Sequence, residues 1–470
     1  MNVTFISSEA VPFAKTGGLA DVCGTLPLAL ERFGIKVNII MPRYKCVSYE
    51  RHGLKRLNSH VATARIGDDI SVYFIENEDY YDRDGIYGSQ QGDYDDNLNR
   101  FQYFCWKALE ILKQLNIKTD IVHCHDWQTG LIPAYLDQVF AADPYYKNIK
   151  SILTIHNLAY QGVFPKERFS KLKLDEKLFN KEGFEFYDQV NFLKGGILFS
   201  DLITTVSQKY AQEIQTDRYG CGLDGVLKER SEALRGILNG IDYDTWNPVT
   251  DRFIVQNYSP ENLTGKLENK RFIQKTCGFS ARRDIPLFSY VGRLSYQKGV
   301  DLIADAMDEL TKLNLQIVFL GHGEEKYHRL LEDLAQEYPE KIKCFLKFDE
   351  QLAHQLYAGS DFFLMPSRYE PCGLSQLISM RYGTAPIVFN TGGLADTVTP
   401  FNGMTLQGKG FVFLEYKAAV FAEAVRSAGK VFRHKEQMTA LMSNAFNIHC
   451  SWDDAAQKYL RLYEECLQLA

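Results

Sequence analysis

The 470-residue chain lacks the features that would assign it to a membrane or to a nucleic acid. No apolar run approaches the ~18 residues that a membrane span needs. Positive charge is not in excess either, because 53 Lys and Arg stand against 59 Asp and Glu and give a formal net charge of −6. We therefore expect neither a membrane nor a nucleic acid to be the main partner.

Cysteines in metal-like spacing are also missing, although the chain has 10 of them. They are scattered, mostly in apolar contexts, which predicts reduced intracellular thiols that pack as small hydrophobes. Strand-like sequence begins at Asn2 and leaves no room for a signal or transit peptide. We expect a cytosolic protein, or an organelle protein whose leader was removed.

Several catalytic signatures are absent as well. The sequence has no Walker loop, no G-x-G-x-x-G fingerprint and no legible Ser-His-Asp or Cys-His arrangement.

Short apolar runs alternate with longer amphipathic stretches, as in parallel sheets whose strands are buried on both faces. A representative helix is predicted over Asn97–Leu115, where apolar residues recur at helical spacing. The predicted strands are Val3–Ser7, Lys36–Ile40, Ser71–Ile75, Ile121–Cys124, Ser151–Ile155, Leu202–Thr205, Pro286–Val291, Leu315–Leu320, Ile342–Phe345, Phe362–Met365 and Ala385–Val388.

The alternation pauses after about residue 235, at the connector Asn239–Pro248, and then restarts. This pattern predicts an α/β protein with two doubly wound, Rossmann-like domains, residues 1–240 and 241–450, that face a deep cleft. The last segment, 451–470, carries an amphipathic helix over Trp452–Leu467 that we expect to pack back onto the first domain.

A Gly-rich sequence occurs once in each half: TGGLADV at 16–22 and TGGLADT at 391–397. Each copy follows a predicted strand and opens a helix, whose unpaired N–H groups suit an anion. We expect two related turns that present backbone amides to one cleft. Lys15, directly before the first turn, points to a phosphate ligand or is a solvated surface lysine.

Two later loops carry polar groups at the ends of strands, where ligands of doubly wound sheets bind. Arg293 and Lys298, in the run VGRLSYQKG, suit a diphosphate. Glu370, in MPSRYEPCGLS, can hold sugar hydroxyls while the amides of Gly373 and Leu374 hold phosphate. Cys372 is a helix-start thiol, for which reactivity and packing are equally consistent.

Polar residues also end two strands of the first half. His123 and His125 lie two apart with no third ligand motif, which disfavours a metal site. Asp126 and Trp127 suit a carbohydrate, with the carboxylate on hydroxyls and the ring on a sugar face. His156 ends the next strand and is expected to face the same site.

Seven motifs, taken in order, resemble the ADP-glucose-dependent family of bacterial glycogen synthases and plant starch synthases. The resemblance spans residues 1 to about 460 and implies the two-domain glycosyltransferase B fold. The motifs are KTGGLADV at 15–22, HCHDW at 123–127, TIHNL at 154–158, NGID at 239–242, GRLSYQKG at 292–299, PSRYEPCGL at 366–374 and TGGLADTV at 391–398.

The resemblance also implies site roles, which carry over onto matching positions of this chain. The implied catalytic residues are His156, Arg293, Lys298, Glu370, Asp126 and Asp21. The implied ADP-glucose contacts are Lys15, Gly17, Gly18, Arg293, Lys298, Glu370, Cys372, Gly373 and Leu374. The implied glucan side is Tyr94 and Asn97, both within the segment Tyr94–Arg100, together with Trp127.

The implied activity is retaining transfer of glucose from ADP-glucose to the non-reducing end of an α-1,4-glucan in glycogen biosynthesis. Fixed cations would stand where other enzymes use a divalent ion, so no metal and no cofactor is expected. Two alternatives remain: a related retaining glycosyltransferase with another donor or acceptor, and an inactive glucan-binding homologue. The sequence leaves the oligomeric state open.

Overall fold

The structure, a computed structural model, describes residues 1–89 and 92–469. These residues divide into two compact units: Met1–Gly240 together with residues 452–469, and Ile241–Ser451. The chain therefore returns from the second unit to the first after Ser451, one residue later than the domain end at 450 that the sequence predicts. Residue 470, the last of the predicted terminal segment, lies outside the described residues.

The first unit is built on a mostly parallel sheet. The strands of the whole unit, some of which form two smaller sheets, are β1 (Asn2–Ile6), β2 (Lys36–Pro42), β3 (Lys55–Asn58), β4 (Val61–Ile66), β5 (Ile70–Ile75), β6 (Gly88–Ser89), β7 (Gly92–Asp93), β8 (Ile121–His125), β9 (Lys150–Ile155), β10 (Val163–Pro165), β11 (Glu185–Phe186), β12 (Gln189–Asn191), β13 (Leu202–Thr205) and β14 (Leu234–Gly236). The main sheet runs in the order β14-β13-β9-β8-β1-β2-β5-β4-β3.

Pairing is parallel from β14 through β5, in line with the prediction, whereas β4 and β3 are added antiparallel at one edge. The side chains of Val3, Phe5 and Ile6 in β1 are inaccessible to solvent. A contiguous buried run of this kind is what a central strand covered on both faces requires.

Helices lie between the strands of this unit along the chain. They are α1 (Gly18–Arg32), α2 (Tyr49–His52), α3 (Glu78–Tyr81), α4 (Asn97–Gln114), α5 (Ile132–Gln138), α6 (Phe192–Phe199), α7 (Gln208–Glu213) and α8 (Asp224–Glu229). Helix α4 ends one residue before the predicted end. It buries the face that contains Leu98, Phe101 and Ile111, so the period in the sequence identified the side that faces the core.

The second unit contains a parallel sheet in the order β17-β16-β15-β18-β19-β20. Its strands are β15 (Leu287–Val291), β16 (Gln316–Leu320), β17 (Ile342–Phe345), β18 (Phe362–Met365), β19 (Ala385–Phe389) and β20 (Phe411–Phe413). Its helices are α9 (Thr264–Thr276), α10 (Val300–Asp305), α11 (Met307–Leu310), α12 (Glu325–Glu337), α13 (Glu350–Gly359), α14 (Ser375–Arg381), α15 (Gly392–Thr397), α16 (Ala418–Phe432) and α17 (Lys435–Phe446).

The last helix, α18 (Trp452–Gln468), belongs to the first unit. It packs against α1, and a hydrogen bond of 2.9 Å joins the Tyr463 hydroxyl to Nδ1 of His123 in β8. Arg235 adds an ion pair with Glu465 at 2.6 Å. The chain thus returns from the second unit to close the first one. None of the helices in the described ranges combines the length and apolar character needed to span a bilayer.

This topology decides where polar loops gather. Strands β1, β8 and β9 are parallel neighbours, so the residues that follow them meet at one edge of the first sheet. Strands β15, β18 and β19 do the same in the second sheet. The carboxyl ends of parallel strands are where doubly wound proteins bind ligands.

Candidate active site

The first Gly-rich turn carries Lys15 at its start. The Lys15 ammonium pairs with the Asp21 carboxylate at 2.6 Å, and both side chains remain partly exposed. Asp21 lies in the first turn of α1. Asp21 therefore pairs with the cation that the resemblance assigned to the donor.

The amides of this turn have an internal acceptor. Glu9 accepts hydrogen bonds from the backbone N–H of Thr16 and, at 3.4 Å, from that of Gly17. The Thr16 and Gly17 amides, which belong to the turn expected to present backbone amides to a cleft, therefore donate to a side chain of the protein itself. Gly18, where α1 begins, remains a predicted contact.

The second Gly-rich turn is also occupied by its own protein. The Gly393 N–H donates to the carbonyls of Glu370 at 3.0 Å and Pro371 at 3.2 Å. Gly392 has φ +43°, and a Cβ there would lie 2.0 Å from the Glu370 carbonyl oxygen. Glycine is needed here so that the turn can approach and support the 370–372 loop. We expected the amides of this turn to face a ligand, but the Gly393 amide instead donates to backbone carbonyls of the protein.

Asp126 follows β8 in an unusual backbone conformation, with φ 57° and ψ −174°. Its carboxylate accepts the backbone N–H of His156 at 2.7 Å and also that of Asn157. Burial raises the pKa of Asp126 to about 7, although these two hydrogen bonds act in the opposite direction. The residue predicted to hold sugar hydroxyls thus holds the backbone that carries His156.

His156 lies beside His125, with Nε2 of His156 3.0 Å from Nδ1 of His125. Burial lowers the pKa of His156 to about 3 and also lowers that of His125. Both rings are therefore neutral at physiological pH, and His156 can act as a hydrogen-bond partner but not as a cation.

A pocket of about 500 Å³ opens in the first unit, and Trp127, the residue that follows Asp126, is part of its lining. It is lined by Asp93, Tyr94, Asp95, Asn97, Trp127, Ala159, Tyr160, Gln161, Gly162, Val163, Phe164, Pro165 and Arg168. Gly162 has φ +63°, and a Cβ there would lie 2.3 Å from the Trp127 ring, so this glycine lets the chain cross the indole. Aromatic walls with amide and charged groups between them suit a carbohydrate.

The predicted glucan-side residues Tyr94 and Asn97 both line this pocket. The guanidinium groups of Arg83 and Arg100 lie 4.9 Å and 5.0 Å from the Tyr94 ring centre. Asn97 donates to the Tyr87 carbonyl at 2.9 Å and accepts from Arg100 at 2.6 Å. Asn97 is therefore held firmly by its neighbours, and Tyr94 is fixed between two cations.

In the second unit, Lys298 and Glu370 form an ion pair of 2.5 Å. The Ser367 hydroxyl donates to the same carboxylate at 3.0 Å. Glu370 is nearly buried, at 7% exposure. The two residues assigned to the diphosphate and to the sugar hydroxyls thus neutralise each other in this structure.

Arg293 and the start of α14 complete this set. The Arg293 side chain is exposed and makes no ion pair with any described residue. Gly373 and Leu374 directly precede α14, whose first amides have no acceptor within the helix. Cys372 is buried, which favours packing over reactivity for this thiol.

Sequence reasoning missed Arg368, which joins the two loops. Its guanidinium lies 3.7 Å from the Tyr296 ring centre and 4.3 Å from that of Tyr416, and it pairs with Asp301. The backbone N–H of Arg368 donates to the Gln297 carbonyl at 2.9 Å. The available signal was an arginine within the motif PSRYEPCGL.

Phe348 was also missed. It lies on the loop that follows β17, at the carboxyl edge of the second sheet, and is 89% exposed. A phenylalanine exposed to this extent offers a flat apolar face to a ligand. No group of three or more His, Cys, Asp or Glu side chains that could hold a metal ion occurs in the described part of the chain.

Two family models match successive parts of the chain. Residues 2–229 match the family described as the starch synthase catalytic domain, and residues 279–440 match glycosyl transferases group 1. A glycogen synthase from Thermotoga maritima is 45% identical over 99% of each chain. One from Syntrophotalea carbinolica is 44% identical over 100% of this chain and 99% of that one.

Among solved structures, the catalytic domain of starch synthase IV from Arabidopsis thaliana, bound to ADP and acarbose, matches with a TM-score of 0.91. It is 35% identical and covers 99% of both chains. Two Rossmann-like units of this type define a glycosyltransferase B fold, as the sequence predicted. The chain belongs to the glycogen synthase and starch synthase family.

The raised pKa of Asp126 predicts a pH-dependent stability. Between pH 5 and pH 7 the folded protein keeps a proton that the unfolded chain has released, so this carboxyl stabilises the fold less as pH rises. The difference in unfolding free energy between wild type and Asp126→Asn should fall by roughly 1.4 kcal/mol per pH unit in this range and level off above it. Urea denaturation of both proteins at several pH values measures this difference in unfolding free energy.

The opposite pH dependence of this free-energy difference would contradict the prediction. A difference that rises with pH would mean that the amides of His156 and Asn157 stabilise the carboxylate more than burial destabilises it. The pKa of Asp126 would then lie below its ordinary value, which contradicts a shift dominated by burial.

Proposed function

We propose that the chain is an ADP-glucose-dependent glucan synthase. It transfers glucose, with retention of the anomeric configuration, to the non-reducing end of an α-1,4-glucan. The observation that carries this proposal is the pairing of Lys298 with Glu370, in a chain that belongs to the glucan synthase family. A cation for phosphate and an acid for sugar hydroxyls are what a nucleotide sugar requires.

The second unit holds the donor in this proposal. Lys298, Arg293 and the first amides of α14 meet the diphosphate, while Glu370 accepts hydrogen bonds from glucose hydroxyls. Phe348 offers a face on which the base can stack. The match to a starch synthase solved with ADP supports adenine as the base.

The first unit holds the acceptor. Its pocket is lined by Trp127, Tyr160 and Phe164, rings on which glucose units can pack, and by hydrogen-bonding groups such as Asn97 and Arg168. Tyr160 is 55% exposed and is therefore available as a platform. His156, whose backbone N–H donates to Asp126, adds a neutral hydrogen-bonding group to the same unit.

Positioning and charge carry the chemistry. As the bond between glucose and diphosphate breaks, negative charge grows on the leaving phosphate, where fixed cations and amides stabilise it. The leaving phosphate takes the proton of the acceptor hydroxyl on the same face of the sugar, which gives retention without a protein nucleophile. In this scheme Lys298 and Arg293 supply the positive charge that a metal ion supplies elsewhere.

Product sizing tests the proposal. Incubation with ADP-glucose and maltoheptaose should release ADP and lengthen the oligosaccharide by single α-1,4-linked glucose units. The same yield is expected in EDTA, because protein cations act on the diphosphate. Release of free glucose without elongation, or complete loss in EDTA that magnesium reverses, would contradict the proposal.

Lys298→Ala should reduce kcat/KM for ADP-glucose by about 30- to 1000-fold, which corresponds to about 2–4 kcal/mol of lost charge stabilisation. Lys326→Ala is the matched control, since Lys326 pairs with Glu324 at a more exposed position of the same unit. Circular dichroism checks that both variants fold. Equal kinetics for the two variants would remove Lys298 from the donor site.

A further inference from the structure

Glu9 is a buried acid with an unusual set of neighbours. It follows β1 and is 2% exposed. Within the described ranges its carboxylate makes no ion pair, and the groups that contact it are neutral hydrogen-bond donors. A buried carboxylate is costly unless such donors compensate for lost water, so this arrangement requires a specific set of them.

Three of these donors come from the Gly-rich turn. The backbone N–H and the hydroxyl of Thr16 both donate to Glu9, the hydroxyl at 2.7 Å, and the Gly17 N–H lies at 3.4 Å. These amides lie directly before α1, where unpaired N–H groups suit an anion. Glu9 therefore occupies, as part of the protein, a position that a ligand phosphate would otherwise fill.

The fourth donor is Tyr87, whose hydroxyl bonds to Glu9 Oε1 and lies 2.7 Å from the Ser8 hydroxyl. Burial and the nearby Glu9 charge raise the pKa of Tyr87 well above its usual range, so this hydroxyl stays a donor. The Tyr87 carbonyl accepts from Asn97, which lines the pocket. One short chain of hydrogen bonds thus links the turn to the pocket.

We propose that Glu9 is the positioning residue of the first unit: an internal anion that fixes the turn carrying Lys15 and, through Tyr87, couples this turn to the acceptor pocket. The inference rests on the proposed function. The charge of Glu9 also affects where the donor diphosphate can bind. Because a second anion cannot share the Thr16 and Gly17 amides with a buried carboxylate, the donor diphosphate is directed to the cations of the second unit.

Chemical rescue tests this role. Glu9→Ala removes the CH₂–COO⁻ portion of the side chain and leaves its donors unpaired, so kcat/KM for ADP-glucose should fall by about tenfold or more. Added acetate, which has the size and charge of the missing portion, should restore activity saturably. It should also raise the Tm of this variant and leave wild type unchanged.

Two further variants serve as controls. Glu9→Gln fills the same space without the charge, so its activity should fall while acetate has no effect. Glu76→Ala removes another buried carboxylate of the same unit, one that pairs with Arg43 at 2.6 Å. Acetate should not change the kcat/KM of this control.

The outcomes separate the two hypotheses. If wild type does not elongate the glucan, the proposed function fails, whatever Glu9 does. If wild type is active and Glu9→Ala keeps its kcat/KM, or loses it without any response to acetate, the role of Glu9 fails alone. If Glu9→Ala does not fold, Glu9→Gln decides, and unchanged kinetics in that folded variant overturn the inference.

Discussion

The ion pair between Lys298 and Glu370 is the interaction on which the site of the second unit depends. It joins the loops that follow the neighbouring strands β15 and β18, at 2.5 Å and mostly shielded from water. Arg368, clamped between two tyrosines, holds the same two loops together. A buried acid needs a partner, so each of the two charges keeps the other in place until a donor arrives with its own phosphate and hydroxyl groups.

The sequence predicted the parts that depend on repeated physical patterns. Contiguous apolar runs located the central strands, and the helical period located the buried face of α4. Since loops after parallel strands meet at one edge, Lys298 and Glu370 could be assigned to one site although 72 positions separate them. The edge strand β3 was missed because its residues are exposed and have no apolar pattern, and the strands β10 to β12 were missed because each has only two or three residues.

What the sequence could not give was the partner of each polar group. The two Gly-rich turns look alike, yet Glu9 fills the first and the second supports the backbone of Glu370. Asp126 was expected on a sugar and instead holds the His156 amide. Residue types report which bonds a group can make, whereas only the three-dimensional arrangement decides which of them are already made within the protein.

Central to this account is an exchange of partners, in which Lys298 leaves Glu370 for the diphosphate. Titration calorimetry of ADP with wild type and Glu370→Gln tests it most directly. Loss of the carboxylate frees Lys298 and removes a repulsive charge, so ADP should bind the variant more tightly, on the order of fivefold for an interaction of about 1 kcal/mol, even though the variant loses transfer activity. Weaker ADP binding to Glu370→Gln would contradict the exchange and would mean that the ion pair itself forms the phosphate site.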